Sequence, residues 1–305
     1  MKKLILLILI ALTLIAKETI IVFHAGSLSV PFSQIEKAFE KKYPNYDVIR
    51  EAAGSRACAR KITDLGKKAD VMASADYKVI DNLLIPNYTD NNILFATNKM
   101  VIAYTPNSKY ANEINSQNWP DILLRKGVKV GHSNPNLDPC GYRSILVTKL
   151  AEIYYQKPNF YNKLLGYGEY YTNGEENIEK IIVRPKETDL LGLLESGAID
   201  YLYIYKSVAK QHRLKYIELP KQLNLGSKKY ANYYKQVSFK ITGKKPGTFI
   251  VKKGTPMVYG ITVLKNAKKG AILFTKFVLS KYGRDIMKKN GQDVIYPAEL
   301  KIELK

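Results

Sequence analysis

The sequence predicts an α/β protein of two lobes, each a mostly parallel sheet flanked by helices, with a ligand cleft between them. Three observations carry this. Apolar runs of strand length alternate with amphipathic runs of helical length along the chain. Several strands feed directly into a Gly-Ser pair or an acid that opens the next helix. No long Gly-, Pro- or Ser-rich linker separates the first alternating set from the second.

In the first set "TIIVFHA" is a strand and residues 31–43 a helix with Pro31 in its first turn. "YDVIREA" is a strand, "GSRACARKITDLGKK" a helix, "ADVMASA" a strand and "YKVIDNLLI" a helix. This βαβαβα order requires crossovers, so the strands are parallel and the helices cover both faces. The strand "KMVIAYT" leads into the second set: strand "GVKVGHS", helix "GYRSILVTKLAEIYY", strand "IEKIIVRP", helix "TDLLGLLESG" and strand "AIDYLYIY". The last third holds "QVSFKIT", "MVYGITVLK" and one long helix from Lys268 to Gly291. The expected division is residues 18–98 and 208–305 for the first lobe and 99–207 for the second.

Residues 1–17 read as a signal peptide or N-terminal anchor: Lys2 and Lys3 precede an uncharged, largely apolar run from Leu4 to Ala16. The run is short for a membrane span, and no cysteine follows it to take a lipid. The remaining chain is expected to work outside the cytoplasm, at the outer face of the cell membrane. The net charge of +21 over 305 residues admits nucleic acid or an anionic surface as a partner. Against nucleic acid, the lysines are scattered, and neither zinc-finger spacing nor an RRM aromatic signature is present. A positive field also attracts a small anion. Two cysteines cannot build a metal site between them. Cys58 and Cys140 could form one disulfide if the cleft loops approach each other, with buried free thiols as the alternative.

In open α/β sheets ligands sit beyond the carboxyl ends of the strands, at helix starts. That rule selects Gly26 and Ser27 after the first strand, Gly54 and Ser55 after the second, and Asp138, Pro139 and Cys140 in "NPNLDPCGYRS". It also selects Glu187 in "RPKETDLL" and Tyr205, which ends "DYLYIY". A Gly-Ser pair at a helix start is ordinarily an N-cap. Two of them after strands of one sheet instead suggest an oxyanion held by amides and hydroxyls. Asp138 and Glu187 would repel that anion. They are caps, or protonated, or bonded to the hard metal at the centre of a metal oxyanion. His24, His132 and His212 are too far apart for a three-histidine metal site. Ser27 as a nucleophile with His24 or His132 lacks an identified orienting acid, so a secreted hydrolase is a remote alternative.

The segments "HAGSLSVPF", "EAAGSRACARKITDL", "ADVMASADY", "NPNLDPCGYRS", "IIVRPKETDLLGLLESGAIDYLYIYKSVAKQH" and "PMVYGITVLKNA" resemble the archaeal molybdate/tungstate-binding proteins of ABC transporters. The resemblance runs from about Ile20 to the C-terminal helix. It implies a periplasmic-binding-protein type II fold, whose lobes close on the ligand. It also implies that Gly26, Ser27, Gly54, Ser55, Asp138, Pro139, Cys140, Glu187 and Tyr205 contact the oxyanion. Asp138 and Glu187 match the two carboxylates that complete the metal's coordination in that group. Arg143 and Lys186 supply positive potential without being ligands. The implied protein is a monomer without cofactor or catalysis, serving an ABC permease and its ATPase. The nearest alternative is a binder of sulfate or phosphate in the same fold.

Overall fold

The computed structural model describes residues 16–174, 177 and 179–302. The expected leader therefore lies outside the described residues, apart from Ala16 and Lys17, which are exposed ahead of the first strand. Among the described residues the strands are, in chain order, β1 (Glu18–Ala25), β2 (Tyr46–Ala53), β3 (Val71–Ser74), β4 (Asn91–Thr97), β5 (Met100–Tyr104) and β6 (Val130–Ser133). There follow β7 (Ile181–Arg184), β8 (Tyr201–Tyr205), β9 (Lys215–Glu218), β10 (Ser238–Thr242), β11 (Phe249–Lys253), β12 (Val258–Val263) and β13 (Asp293–Ile302). No helix among these residues is long and apolar enough to cross a membrane.

Two sheets result. The first has the order β13-β4-β12-β3-β1-β2, the second β7-β6-β8-β5-β9, and β10 pairs only with β11 as a ribbon. Both sheets are mixed rather than mostly parallel. In the first, β2, β1 and β3 are parallel, whereas β12, β4 and β13 join antiparallel. In the second, β7, β6 and β8 are parallel, β5 runs antiparallel to β8, and β9 pairs antiparallel with β5. The parallel trios are the strands whose crossovers the sequence shows. The antiparallel strands enter through short connections in which no local signal sets their direction. Strands β4, β9 and β13 begin in polar residues or carry Pro297. β13 accommodates that proline at an edge, where its register with β4 breaks between Val294 and Glu299.

The β1 side chains explain the layers. Ile20 and Val22 point into the larger core, where Phe32, Phe39 and Phe274 meet, with Phe39 and Phe274 edge to face at 5.3 Å. Phe23 points the other way, into a smaller core with Met72, Cys58, Ile62 and Leu83. A strand covered on both faces reads as a near-continuous apolar run, as "TIIVF" does. In the second sheet all five residues of β8 are buried, tyrosines included. Each such hydroxyl needs a partner. Thr148 Oγ1, for example, donates to the Tyr203 hydroxyl at 3.0 Å. Nine of the 23 tyrosines are buried and the other fourteen lie at the core edge or the surface.

The chain crosses between the sheets twice. β4 ends at Thr97 and β5 begins at Met100, whose N–H donates to the Asn224 carbonyl of the return crossing at 2.8 Å. Because β9 pairs with β5, the chain leaves the second sheet after residue 218, later than the expected boundary at 208. The expected single C-terminal helix is two, Lys269–Leu279 and Lys281–Lys289. Ser280 breaks it with ψ 167°, and its Oγ accepts from Gly283 N at 3.3 Å, capping the second piece.

The cysteines do not pair. Cys58 lies in the smaller core with Sγ facing the His24 carbonyl at 3.6 Å, and Cys140 lies in the larger core with Sγ facing the Tyr203 carbonyl at 3.7 Å. Each thiol is packed into its own lobe, so cleft closure cannot bring the sulfurs together. Burial pushes the Cys58 thiol up to about 12, which leaves it an inert neutral side chain. Thiol titration without reductant is expected to find two free thiols in denaturant and none in the native protein. One disulfide per chain would contradict this packing.

Candidate functional site

The carboxyl ends of the two parallel trios face each other, and the residues just beyond them touch across the gap. After β1 come Gly26 and Ser27, after β2 Gly54 and Ser55, and after β3 Ala75 and Asp76. Opposite them, Asp138 starts the helix Pro139–Tyr154, Glu187 follows β7, and Tyr205 ends β8. Every sequence-selected residue is thus in one place, although not every one offers a group to a ligand.

Neither serine is a cap. Ser27 lies inside the turn Gly26–Leu28, and its buried Oγ is 2.9 Å from the Tyr259 hydroxyl. Tyr259 in turn accepts from Asn98 Nδ2 at 3.1 Å. When Tyr259 gives its own proton to Ser27 Oγ, the serine proton is free to point into the cleft. Ser55 Oγ accepts from Ala75 N at 3.0 Å, and Tyr205 Oη accepts from Arg143 Nη1 at 2.8 Å. The Ser55 and Tyr205 protons find no acceptor among the described residues. Burial raises the Tyr205 phenol well above its usual range, so it remains a donor.

The acids differ from each other. Asp138 does cap its helix: Oδ1 accepts from Cys140 N at 3.1 Å, and Oδ2 accepts from Glu187 N at 3.0 Å. Each carboxylate oxygen keeps a further lone pair. Pro139 has no N–H, and the Cys140 N–H is engaged by Asp138, so these two shape the turn and give the cleft no free donor. Glu187 caps nothing. It is buried, and neither of its carboxyl oxygens has a hydrogen-bond partner among the described residues. A Cβ added to Gly26 would lie 2.9 Å from Glu187 Oε2, so the carboxyl group rests on the opposite lobe's glycine. Burial, then the neighbouring Asp138 charge, hold the Glu187 pKa well above the usual carboxyl range.

Other groups close the gap. Ala57 N donates to the Leu137 carbonyl at 3.0 Å, and Arg143 Nη1 donates to the Ala75 carbonyl at 2.9 Å. Asp76 Oδ2 accepts from the Tyr142 hydroxyl at 2.5 Å and from Lys252 Nζ at 2.6 Å. Burial alone would raise the Asp76 pKa, but Lys252 and Arg143 hold it well below the usual range. Lys252 belongs to the β10–β11 ribbon, which also reaches both lobes: Thr242 N donates to Asn136 Oδ1 at 2.9 Å, and Lys240 pairs with Glu169.

Sequence reasoning passed over Tyr259, Asn98, Asp76 and Lys252. Asp76 follows a strand of the first trio and was open to the same rule. Tyr259 was not, because β12 runs antiparallel to β3 and brings its amino end to the cleft. The histidines stay out of the chemistry. His24 contacts the Ala25 carbonyl and Arg50, and His132 contacts the Ser133 carbonyl and Tyr167. Burial lowers both to about 4, so they are neutral, and neither touches Ser27. Among the described residues no cluster of three or more His, Cys, Asp or Glu could hold a metal ion.

Two α/β lobes closed over a buried cleft of outward hydroxyls define a bilobal solute-binding protein. The family model described as bacterial extracellular solute-binding protein matches residues 20–292, and the chain belongs to that family. It is 58% identical over 282 residues to an uncharacterized solute-binding protein of Petrotoga mobilis, covering 92% of this chain and 85% of that one. It is 51% identical over 296 residues to the molybdate/tungstate-binding protein WtpA of Pyrococcus abyssi, covering 91% and 85%. The periplasmic molybdate-binding protein of Azotobacter vinelandii shares the fold with a TM-score of 0.61, at 17% identity over 91% of this chain and 99% of that one. Members of the family bind solutes outside the cytoplasm and are not enzymes.

Two outcomes follow from this geometry. A Cβ on Gly54 would lie 2.4 Å from the Leu137 carbonyl oxygen of the other lobe, although its φ of −57° suits any residue. Gly54→Ala should therefore leave each lobe folded and oppose closure by about 1–3 kcal/mol, weakening ligand binding roughly 5- to 150-fold. Calorimetric affinity beside an unchanged ligand-free melting temperature would show it. Glu187 has a native pKa above its unfolded value, so its contribution is fully present at low pH. That contribution is lost as pH rises from the ordinary carboxyl range through the raised value, by up to about 1.4 kcal/mol per pH unit. Glu187→Gln, which mimics the neutral acid, should flatten that slope and raise the neutral-pH melting temperature of the ligand-free protein.

Proposed function

We propose that the protein captures tungstate or molybdate outside the cytoplasm by lobe closure and delivers it to an ABC importer. The observation that carries this is the pairing of opposites in the cleft. Hydroxyl protons of Ser55 and Tyr205 lack acceptors among the described residues, as does that of Ser27 when Tyr259 donates to it, while both oxygens of Glu187 lack donors there. An oxyanion alone would satisfy the hydroxyls and be repelled by the acid. An oxyanion with a high-valent metal centre satisfies both, because its oxygens accept hydrogen bonds and its metal accepts carboxylate oxygen.

In this reading Ser27, Ser55 and Tyr205 bind the oxo groups through neutral donors, and Gly26 and Gly54 let Glu187 and Leu137 of the opposite lobe approach the backbone closely. Glu187 bonds to the metal, and Asp138, fixed by two backbone amides, stands beside it as the second carboxylate. The cleft closes by rotation about the two crossings near Asn98 and Asn224, excluding water. Hydrogen bonds to a charged group contribute about 1.5–3 kcal/mol each, so three donors account for a good part of the −12 kcal/mol of nanomolar binding. The protein acts as a monomer without cofactor at the outer face of the membrane and hands its ligand to a permease driven by a cytoplasmic ATPase. The names of the 51% identical relative and of the structural neighbour support the choice of anion.

Competition calorimetry among tungstate, molybdate, sulfate and phosphate tests it. Tungstate and molybdate should bind orders of magnitude more tightly, with a smaller scattering radius and a higher melting temperature. Asp138→Asn and Glu187→Gln should each weaken tungstate binding by orders of magnitude at neutral pH. Tight sulfate or phosphate binding, or unchanged tungstate affinity in both variants, would falsify metal coordination.

A further inference from the structure

We propose that Arg143 is a positioning residue that holds the Tyr205 hydroxyl as a donor to the bound anion and completes that alignment only when the lobes close. This rests on the reading of the cleft as an oxyanion site.

Arg143 lies one turn into the helix Pro139–Tyr154 and is buried against both lobes. One nitrogen, Nη1, makes two hydrogen bonds: 2.8 Å to Tyr205 Oη in its own lobe and 2.9 Å to the Ala75 carbonyl of the other. Nη1 carries two hydrogens, so both are engaged. The Tyr205 oxygen receives one of them and cannot turn its proton back toward a cation. That proton is directed elsewhere, and none of the described residues accepts it. The guanidinium carbon also sits 5.7 Å from the Tyr205 ring centroid and 5.8 Å from that of Tyr142, so two aromatic rings pack about the group.

The second bond sets the timing. Ala75 follows β3 in the first lobe, next to Asp76, which binds Tyr142 across the same gap. In an open cleft Nη1 loses the Ala75 carbonyl and one of its two anchors. The tyrosine is then aligned by the closing movement itself. A guanidinium suits this task because its planar fork serves two acceptors at fixed angles, which a lysine ammonium does not. Arg143 thus acts on the ligand through Tyr205, as a cation held behind a neutral hydroxyl.

A double-mutant cycle on tungstate affinity tests the proposal with Tyr205→Phe, Arg143→Gln and the combined variant of the full protein. Loss of one hydrogen bond to a charged ligand should weaken binding roughly 10- to 100-fold for Tyr205→Phe. Arg143→Gln should cost a similar factor, and the combined variant no more than about threefold beyond the worse single one, because the two residues act as one unit. Arg143→Lys keeps the charge and serves if Arg143→Gln fails to fold. It should still weaken binding beside Tyr205 and cost nothing further in the Tyr205→Phe background. Losses that multiply, or full affinity in Arg143→Lys, would overturn the positioning role while leaving the oxyanion reading intact. Absence of tungstate binding by the unsubstituted protein would overturn that reading and this proposal together.

Discussion

A carboxyl group shut inside a closed cleft, with no hydrogen-bond partner among the described residues, is the constraint around which this protein is arranged. An ionised carboxylate in such surroundings costs several kcal/mol unless something compensates. Burial and the Asp138 charge favour the protonated form of Glu187, which lowers that cost when no ligand is bound. The acid is kept there by backbone geometry: its own N–H is bonded to Asp138 Oδ2, and Gly26 leaves just enough room for its oxygens. A site so arranged is strained towards its ligand, because the free protein carries an unmet need that binding removes.

The rest of the cleft follows from the same need. The donor groups of the cleft are neutral hydroxyls with further polar groups behind them: the Arg143 cation behind Tyr205, and the neutral Asn98 and Tyr259 behind Ser27. Charge at one remove polarises the donors without competing for the carboxylates. A second buried cation near the cleft, Lys252, is tied to Asp76. A chain with a formal charge of +21 therefore keeps its lysines away from the binding surface itself and uses them as a long-range field.

What the sequence revealed and what it hid divide along one physical line. β1, β2, β3 and β6, β7, β8 were legible, because each parallel strand ends in a loop whose residues must serve a ligand or a helix start. From those loops came Ser27, Ser55, Asp138, Glu187 and Tyr205. Tyr259 stayed hidden, since it lies 232 residues from Ser27 and enters on a strand of opposite direction, where the rule about carboxyl ends does not apply. The Ser280 break was equally silent, because a serine within an amphipathic run is tolerated in a helix as readily as it caps one. Asp138 shows the limit of single roles. The sequence offers capping and ligand binding as alternatives, yet one side chain caps its helix, orients Glu187 and still has lone pairs to offer.

The meeting of Gly54 with Leu137 has one more consequence. The lobes touch there backbone to backbone, and the adjoining Ala57 N–H to Leu137 carbonyl bond spans the same gap. Main chain does not yield as a side-chain tip does, so the contact works as the jaw stop of a caliper. An anion too large for the gap holds the jaws apart and forfeits that bond. One too small cannot draw them closer and rattles, under-coordinated, between walls that will not follow it. Selection by size is then a property of two carbonyl-bearing chains and a missing methyl group, independent of the residues that touch the solute.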